Sequence, residues 1–131
     1  DIKLDKFDLV FASSSIQYLE DWKQYLRQFQ LVKFLLLDRL PLSENPLDLI
    51  CIQVVPASYT DTRYPGWIYS KKKWISNLSD LGYRNIMQWK VPEDFCAILD
   101  LSTGQYGMKL DCNYGFLFSS NSNSNSNQVI F

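Results

Sequence analysis

The chain has 131 residues, of which 47% are hydrophobic, 15% aromatic and 21% charged. This length fits one domain with a sizeable core, and the composition is not that of a disordered chain. With 13 basic and 14 acidic residues, the formal net charge is -1, which gives no basic excess for nucleic acid or an anionic membrane surface. We therefore expect neither nucleic acid nor membrane as a partner.

The sequence contains no histidine, which excludes Ser-His-Asp and Cys-His nucleophiles and histidine-ligated zinc. Cys51, Cys96 and Cys112 form no CxxC pair, so we expect reduced thiols and no metal site. No apolar stretch is long enough to span a bilayer, and residues 1–15 lack a signal-peptide pattern. We expect a cytoplasmic protein. Because the first residue is not methionine, we also expect a processed chain or a piece of a longer one.

The first elements in chain order indicate a parallel sheet. Residues 7–12 and 32–38 are apolar runs typical of buried strands. Between them, Ser14 and Gln17 fit a capping box, which predicts that a helix begins there. Its apolar residues are spaced three or four apart: Ile16, Leu19, Trp22, Leu26 and Phe29. Strand, helix and strand in this order predict a βαβ unit and an α/β fold.

The middle of the chain predicts a loop, a strand and a second helix. Residues 40–48 are typical of a loop, and residues 49–55 predict a short strand at the edge or top of the sheet. Residues 56–69 read as irregular. Ser70 fits the N-cap of a helix that ends near Gly82. The apolar face of that helix comprises Trp74, Ile75, Leu78 and Leu81.

The C-terminal part predicts antiparallel strands at residues 84–91, 95–99 and 114–118, with a long connection. From Ser119 onward, alternating Asn and Ser predict a disordered tail. We therefore expect one α/β domain over residues 1–118 and a tail over residues 119–131.

Polar residues follow the two predicted parallel strands. Ligands of parallel sheets bind beyond the carboxyl ends of the strands, so Ser13–Ser15 and the pair Asp38 and Arg39 are expected at one rim. Asp38 can accept hydrogen bonds from an amine or hydroxyl, and Arg39 can hold a carboxylate or phosphate through two bonds. The alternative for this pair is a local salt bridge or a cap that holds the following loop.

Two further groups of residues have alternative interpretations. Lys71–Lys73 fall in the first turn of the second helix, the unfavourable end for cations, and form either a solvated face or an anion-binding site. An aromatic group forms either a substrate wall or lid, a sugar-binding surface, or a satellite core under a loop. Its members are Tyr59, Tyr64, Trp67 and Tyr69. No nucleotide-binding, metalloprotease or hydrolase motif is present, so the residues alone identify no catalytic group.

Several segments resemble class I S-adenosylmethionine-dependent methyltransferases. Residues 7–21 resemble the fourth strand and following helix of that fold, with Asp8 in an apolar strand and small residues at its end. Later motifs occur in the order seen in one methyltransferase family: Asp38-Arg39, Gln53-Val54-Val55-Pro56, Tyr64-Pro65-Gly66-Trp67 and Leu81-Gly82-Tyr83. The resemblance implies the C-terminal half of a Rossmann-like sheet. It would comprise strands four to seven, with strand seven antiparallel between strands five and six, and flanking helices.

The resemblance also implies a site. The end of the fourth strand would face the methionine part of S-adenosylmethionine through Ala12, Ser13, Ser14 and Ser15. A small-molecule acceptor, such as a sugar or another metabolite, would lie against Gln17, Tyr18, Asp38, Arg39, Gln53, Tyr64 and Trp67. Methyl transfer in such enzymes is a direct displacement that depends mainly on positioning.

The sequence departs from the family pattern in one large respect. The glycine-rich loop after strand one and the acidic residue after strand two are absent from it. We therefore expect weak or no cofactor binding by this chain alone. Without strand one, the edge formed by residues 7–12 is open, which favours a homo-oligomer through that edge or completion by a longer chain. The alternative function is that of a non-catalytic methyltransferase-like module that acts in binding or assembly.

Overall fold

A computed structural model describes residues 4–54, 58, 60, 62–92, 96–100, 105–110 and 112–121. The strands are β1 (Leu9–Ser13), β2 (Phe34–Leu40), β3 (Leu42–Ser43), β4 (Leu49–Val54), β5 (Arg63–Ser70), β6 (Tyr83–Val91), β7 (Cys96–Asp100), β8 (Gln105–Leu110) and β9 (Asn113–Ser120). The α-helices are α1 (Trp22–Arg27) and α2 (Lys71–Asp80), and short 3-10 helices span Leu4–Lys6 and Ile16–Tyr18. The predicted α/β class is confirmed.

The main sheet has the order β1-β2-β9-β6. β1 and β2 are parallel, with Leu9 opposite Phe34 and Ser13 opposite Asp38. β9 is antiparallel to both β2 and β6, so β2 and β6 run in the same direction. The strands predicted near residues 84–91 and 114–118 are therefore antiparallel neighbours, and β9 lies between two strands that precede it in the chain.

The core lies between the main sheet and the helices. Leu35 and Leu37 of β2 are buried, and the rings of Phe116 and Phe118 on β9 stack with centroids 5.5 Å apart. The apolar positions predicted for the two helices are buried or partly buried: Ile16, Leu19, Trp22, Leu26, Phe29, Trp74, Ile75, Leu78 and Leu81. Their burial follows from the helical spacing of apolar residues, which places one stripe against the sheet.

The predicted first helix is interrupted, so the expected capping box at Ser14 is wrong. Ser14 has a φ of 48°, in the left-handed region, and the 3-10 helix that follows ends at an extended Leu19. The capping carboxylate is that of Asp21, which accepts a hydrogen bond from the Gln24 amide at 3.2 Å. At this break, the Tyr69 hydroxyl lies within hydrogen-bond distance of two backbone carbonyl oxygens, 3.2 Å from that of Ile16 and 3.3 Å from that of Leu19.

A second sheet, with the order β3-β5-β4, contains an antiparallel hairpin of β4 and β5. The prediction of irregular structure is therefore wrong for residues 63–69, which belong to β5. Pro65 is compatible with this strand because β3 pairs only with Tyr69 and Ser70, so that among the described strands one side of β5 has no ladder at Pro65. The predicted loop at residues 40–48 contains β3.

The predicted ends of the second helix are confirmed in position: Ser70 is the N-cap residue, although its side chain makes no capping bond, and Gly82 adopts a φ of 84° just past the helix. This left-handed conformation carries little cost for glycine. The predicted strand at residues 95–99 is present as β7, but it pairs with β8 in a separate sheet. Neither α1 nor α2 has the length and hydrophobicity needed to cross a membrane.

The last strand continues to Ser120, beyond its predicted end. Ser120 is buried, and its hydroxyl donates to the Gln30 carbonyl at 2.6 Å. The rest of the predicted tail, residues 122–131, lies outside the described residues. Of the cysteines with described side chains, Cys51 and Cys112 are half-buried.

Candidate functional site

The carboxyl ends of β1 and β2 lie side by side, so Ser13–Ser15 and Asp38 share one rim of the main sheet. Ser13 is opposite Asp38, and the Ser14 amide donates to the Asp38 carbonyl oxygen at 3.1 Å. Ser14 and Arg39 both have positive φ, 48° and 56° respectively. Such conformations are uncommon for residues other than glycine, and they concentrate at functional sites.

Asp38 and Arg39 lie in a bulge of β2. Leu37 is opposite Phe116, and the next aligned pair is Leu40 with Tyr114, which leaves two residues of β2 against Gly115 of β9. A bulge re-aims the side chains of its strand. Asp38 Oδ1 accepts a hydrogen bond from Trp89 Nε1 at 3.1 Å, and Asp38 Oδ2 lies 3.8 Å from Arg39 Nε.

The contact between Trp89 and Asp38 depends on Gly115. Trp89 of β6 is aligned with Gly115 of β9, and a Cβ at position 115 would overlap the indole ring. The indole can therefore cross β9 and reach β2 only because residue 115 has no side chain. Neither Trp89 nor Gly115 was predicted as a site residue from the sequence; the available signal was a glycine between Tyr114 and Phe116 in a predicted strand.

Of the two interpretations of Asp38 and Arg39, the local ion pair is observed. The Asp38 carboxylate is held by an indole on one side and a guanidinium on the other. The Arg39 side chain is half-exposed at the rim. The role of both residues in binding an acceptor stays a prediction.

A polar and aromatic cluster joins Tyr18, Gln53 and Tyr64, three of the predicted acceptor residues. The Tyr18 hydroxyl donates to Gln53 Oε1 at 2.8 Å, and its ring meets that of Tyr64 edge-on, with centroids 5.1 Å apart. The Tyr18 ring packs over Gly66, where a Cβ would make ordinary van der Waals contact with it at 3.5 Å. Burial first, and then the neighbouring Tyr64 hydroxyl, raise the pKa of Tyr18 above its ordinary value of 10.0.

Gln17 precedes this cluster in the 3-10 helix and is 7% exposed. Its Oε1 has no hydrogen-bond partner among the described residues. A buried acceptor without a partner costs free energy.

Trp67 does not belong to this cluster. Alternation along β5 places it on the strand face opposite Tyr64, together with Tyr69. The rings of Trp67 and Tyr69 are nearly parallel, 6.1 Å apart, and Tyr69 stacks on Trp74 at 4.9 Å. The predicted aromatic group is therefore divided, and the core interpretation applies to Trp67 and Tyr69. Tyr59 lies outside the described residues.

The residues predicted to face the cofactor have different surroundings. Ala12 packs partly against the core and Ser13 is half-buried, whereas Ser14 and Ser15 are exposed at the rim. Ser15 makes no side-chain capping bond to the 3-10 helix. The binding role of these four residues stays a prediction.

The lysine run at the start of α2 is balanced by acidic residues. Lys71 Nζ lies 3.4 Å from Glu44 Oε1 and 4.5 Å from the centre of the Tyr114 ring. The Ser70 amide donates to Asp48 Oδ1 at 2.7 Å, which places a carboxylate at the positive end of the helix dipole. Lys72 and Lys73 are exposed, which agrees with a solvated face.

Comparisons with known proteins support the fold. No protein-family model matches the chain, and no curated protein matches it. The chain is similar to the crystal structure of a SAM-dependent methyltransferase from Methanosarcina mazei, with a TM-score of 0.55 and 10% sequence identity. The similarity covers 88% of this chain and 60% of that chain. At this identity the likeness shows a methyltransferase-like fold.

Proposed function

We propose that this chain is the C-terminal, substrate-side part of an S-adenosylmethionine-dependent methyltransferase. The observation that carries the proposal is the sheet order β1-β2-β9-β6, with the last strand antiparallel between two strands of common direction. This is the order that the resemblance implies for strands four, five, seven and six. The solved methyltransferase with a similar fold supports it.

The described residues fit part of a cofactor site. Ser14 adopts the left-handed conformation just beyond β1, where Ala12 to Ser15 would face the methionine part of the cofactor. The glycine-rich loop that would hold the rest is absent from this sequence. We therefore propose that the chain alone binds S-adenosylmethionine weakly or not at all.

The acceptor would lie against Tyr18, Gln53 and Tyr64, with Gln17 beneath. S-adenosylmethionine supplies a methyl group on a positively charged sulfur, and its transfer needs an acceptor atom held in line with that bond. The Tyr18 hydroxyl and the Gln53 amide, which form an exposed pair, would orient the acceptor. A small hydroxyl- or amino-bearing molecule such as a sugar fits these groups.

The open edge of β1 would be covered in the working protein. Among the described strands, β1 pairs on one side only, with β2. Phe7, Leu9 and Phe11 are exposed beside that edge. An apolar open edge favours pairing, so we propose that a second copy of the chain or a further segment of the natural polypeptide pairs there.

The first experiment measures the intact mass and cofactor binding of the protein isolated from its own cells. We expect a polypeptide heavier than 15.3 kDa that binds S-adenosylmethionine with micromolar affinity in calorimetry. A native polypeptide of 15.3 kDa without cofactor binding would overturn the proposal. It would instead support the non-catalytic module.

A matched pair of variants tests the acceptor site in that native protein. Tyr18→Phe removes the hydroxyl that donates to Gln53 and is expected to lower kcat/KM about tenfold, the effect of losing one hydrogen bond in the transition state. Tyr25→Phe is the control, because Tyr25 is an exposed residue of α1. Equal activity of the two variants would remove Tyr18 from the site.

A further inference from the structure

Trp89 is linked to the Ser13–Ser15 turn through Asp38. The indole N–H donates to Asp38 Oδ1 at 3.1 Å, and the carbonyl oxygen of Asp38 accepts from the Ser14 amide at the same distance. We propose that Trp89 is a positioning residue, whose indole holds Asp38 and thereby the turn that follows β1. The link from Trp89 to the turn does not depend on any reaction. The expectation that this turn contributes to cofactor binding rests on the proposed function.

The turn and the bulge both need external support. Ser14 and Arg39 have positive φ, and such conformations persist in residues other than glycine only where the surroundings hold them. The amide of Ser14 is held by Asp38, and Asp38 lies in the two-residue bulge that contains Arg39. Loss of the bond to the Asp38 side chain is therefore expected to loosen both conformations together.

The contact requires three residues on three neighbouring strands. Trp89 lies on β6 and Asp38 on β2, with β9 between them, so the side chains span two strand spacings of about 4.8 Å each. Gly115 leaves the space above β9 that the indole fills. The indole nitrogen is solely a donor and a carboxylate is solely an acceptor, so the two ends match. Phenylalanine at position 89 would fill the same space without the donor.

Amide hydrogen exchange measured by NMR on the whole chain tests the proposal. In Trp89→Phe we expect the Ser14 amide to exchange about tenfold faster, as for the loss of one hydrogen bond. The Phe118 amide, on the central strand and away from the bulge, should change less than twofold. In the unmodified chain, the Trp89 indole N–H should itself be protected from exchange.

Two variants of Asp38 keep the test valid if Trp89→Phe does not fold. Asp38→Asn retains an oxygen that accepts from the indole, so we expect protection of the Ser14 amide to persist. Asp38→Leu removes that acceptor and should match Trp89→Phe. The proposal is overturned if Asp38→Leu and Trp89→Phe leave the exchange rate of the Ser14 amide unchanged. It is also overturned if the Phe118 amide accelerates as much as the Ser14 amide, which would indicate general loosening of the sheet.

Cofactor titration of the native protein separates this proposal from the proposed function. With both correct, Trp89→Phe lowers S-adenosylmethionine affinity about tenfold and accelerates Ser14 exchange together. Faster Ser14 exchange in a protein that binds no S-adenosylmethionine would refute the methyltransferase and support the positioning link. Unchanged affinity and exchange in a protein that does bind it would refute the link alone.

Discussion

The main sheet and the β3-β5-β4 sheet use similar residues and bury them differently. In the main sheet, Leu37 and Phe116 are wholly buried beneath the helices. In the second sheet, the outer face of β4 presents Ile50, Ile52 and Val54, which are 64%, 59% and 61% exposed. Both regions have strong β-forming composition, so the difference comes from what packs against each strand.

The inner face of β4 shows what the second sheet contributes. Gln53 bonds to Tyr18, and the Cys51 thiol donates to the Gly66 carbonyl oxygen at 3.4 Å. The hairpin thus carries polar groups to the rim of the main sheet while its outer face stays uncovered. The comparison indicates that the main sheet carries most of the buried core, whereas the second sheet adds Leu42 and Tyr69 to that core and supplies part of the candidate site.

The largest expected effect separates the two sheets directly. Phe116→Ala should lower the free energy of unfolding by about 3–5 kcal/mol, because it leaves a cavity in the core. Ile52→Ala on the exposed face of β4 should lower it by less than about 1 kcal/mol. Urea denaturation of both variants measures the difference. A large loss in Ile52→Ala would break the comparison and indicate that this face is covered in solution.

Two buried tyrosines test how each sheet is fastened to its neighbouring helix. The Tyr69 hydroxyl bonds from β5 to the carbonyls of Ile16 and Leu19, and the Tyr83 hydroxyl donates from β6 to the Leu26 carbonyl at 2.9 Å. Replacement of either by Phe should cost about 1–1.5 kcal/mol, because a hydrogen bond is lost while the Ile16 and Leu26 carbonyls keep the backbone amides of Leu19 and Phe29. We expect the larger loss for Tyr69→Phe. A larger loss in Tyr83→Phe would mean that the second hydrogen bond of Tyr69 contributes little to stability.

The same tyrosines predict a loss of stability at alkaline pH. Burial raises the pKa of Tyr83 from 10.0 to about 12, and burial followed by the charge of Asp48 raises the pKa of Tyr69 further. The unfolded chain loses these protons first, so their contribution is complete below pH 10 and falls as pH rises through 12. Urea unfolding from pH 8 to 12 measures the decline, which should be shallower in Tyr83→Phe. An identical decline in that variant would contradict the assignment.

The joint between the second sheet and α2 should show a smaller effect. Asp48→Ala removes the carboxylate that accepts from the Ser70 amide and should cost about 1 kcal/mol. Asp48→Asn, which keeps an acceptor oxygen, should lose less. Thermal unfolding of the two variants measures the difference, and equal losses would mean that the bond to Ser70 contributes little.

The smallest expected effect lies at the start of α1, which covers the main sheet. Asp21→Ala removes an exposed capping bond to the Gln24 amide and should cost about 0.5–1 kcal/mol. Glu20→Ala, one residue earlier and also exposed, is the control and should be nearly neutral. Helix content by circular dichroism with a denaturation curve distinguishes them. A neutral Asp21→Ala would indicate that the Asp21 side chain does not stabilise the start of α1 and that an earlier residue does.

The candidate site was predictable where it depends on strand ends. Ser13 and Asp38 follow apolar runs, and parallel strands bring their carboxyl ends to one rim, so their proximity needed only the βαβ pattern. The bond between Trp89 and Asp38 joins residues 51 positions apart, and the bond between Tyr18 and Gln53 joins residues 35 apart. Local patterns carry no information on which distant side chains meet.

Local signals in the sequence alone determined the buried strand β2, the apolar stripe of α2 and the ends of that helix at Ser70 and Gly82. These depend on residue spacing and on conformations that neighbouring residues impose. Tertiary structure decided the break in the first helix, because the Tyr69 hydroxyl supplies partners for its carbonyls. It also decided that residues 63–70 form a strand, because β4 offers the matching ladder. Both outcomes depend on hydrogen bonds between segments that lie far apart in the chain.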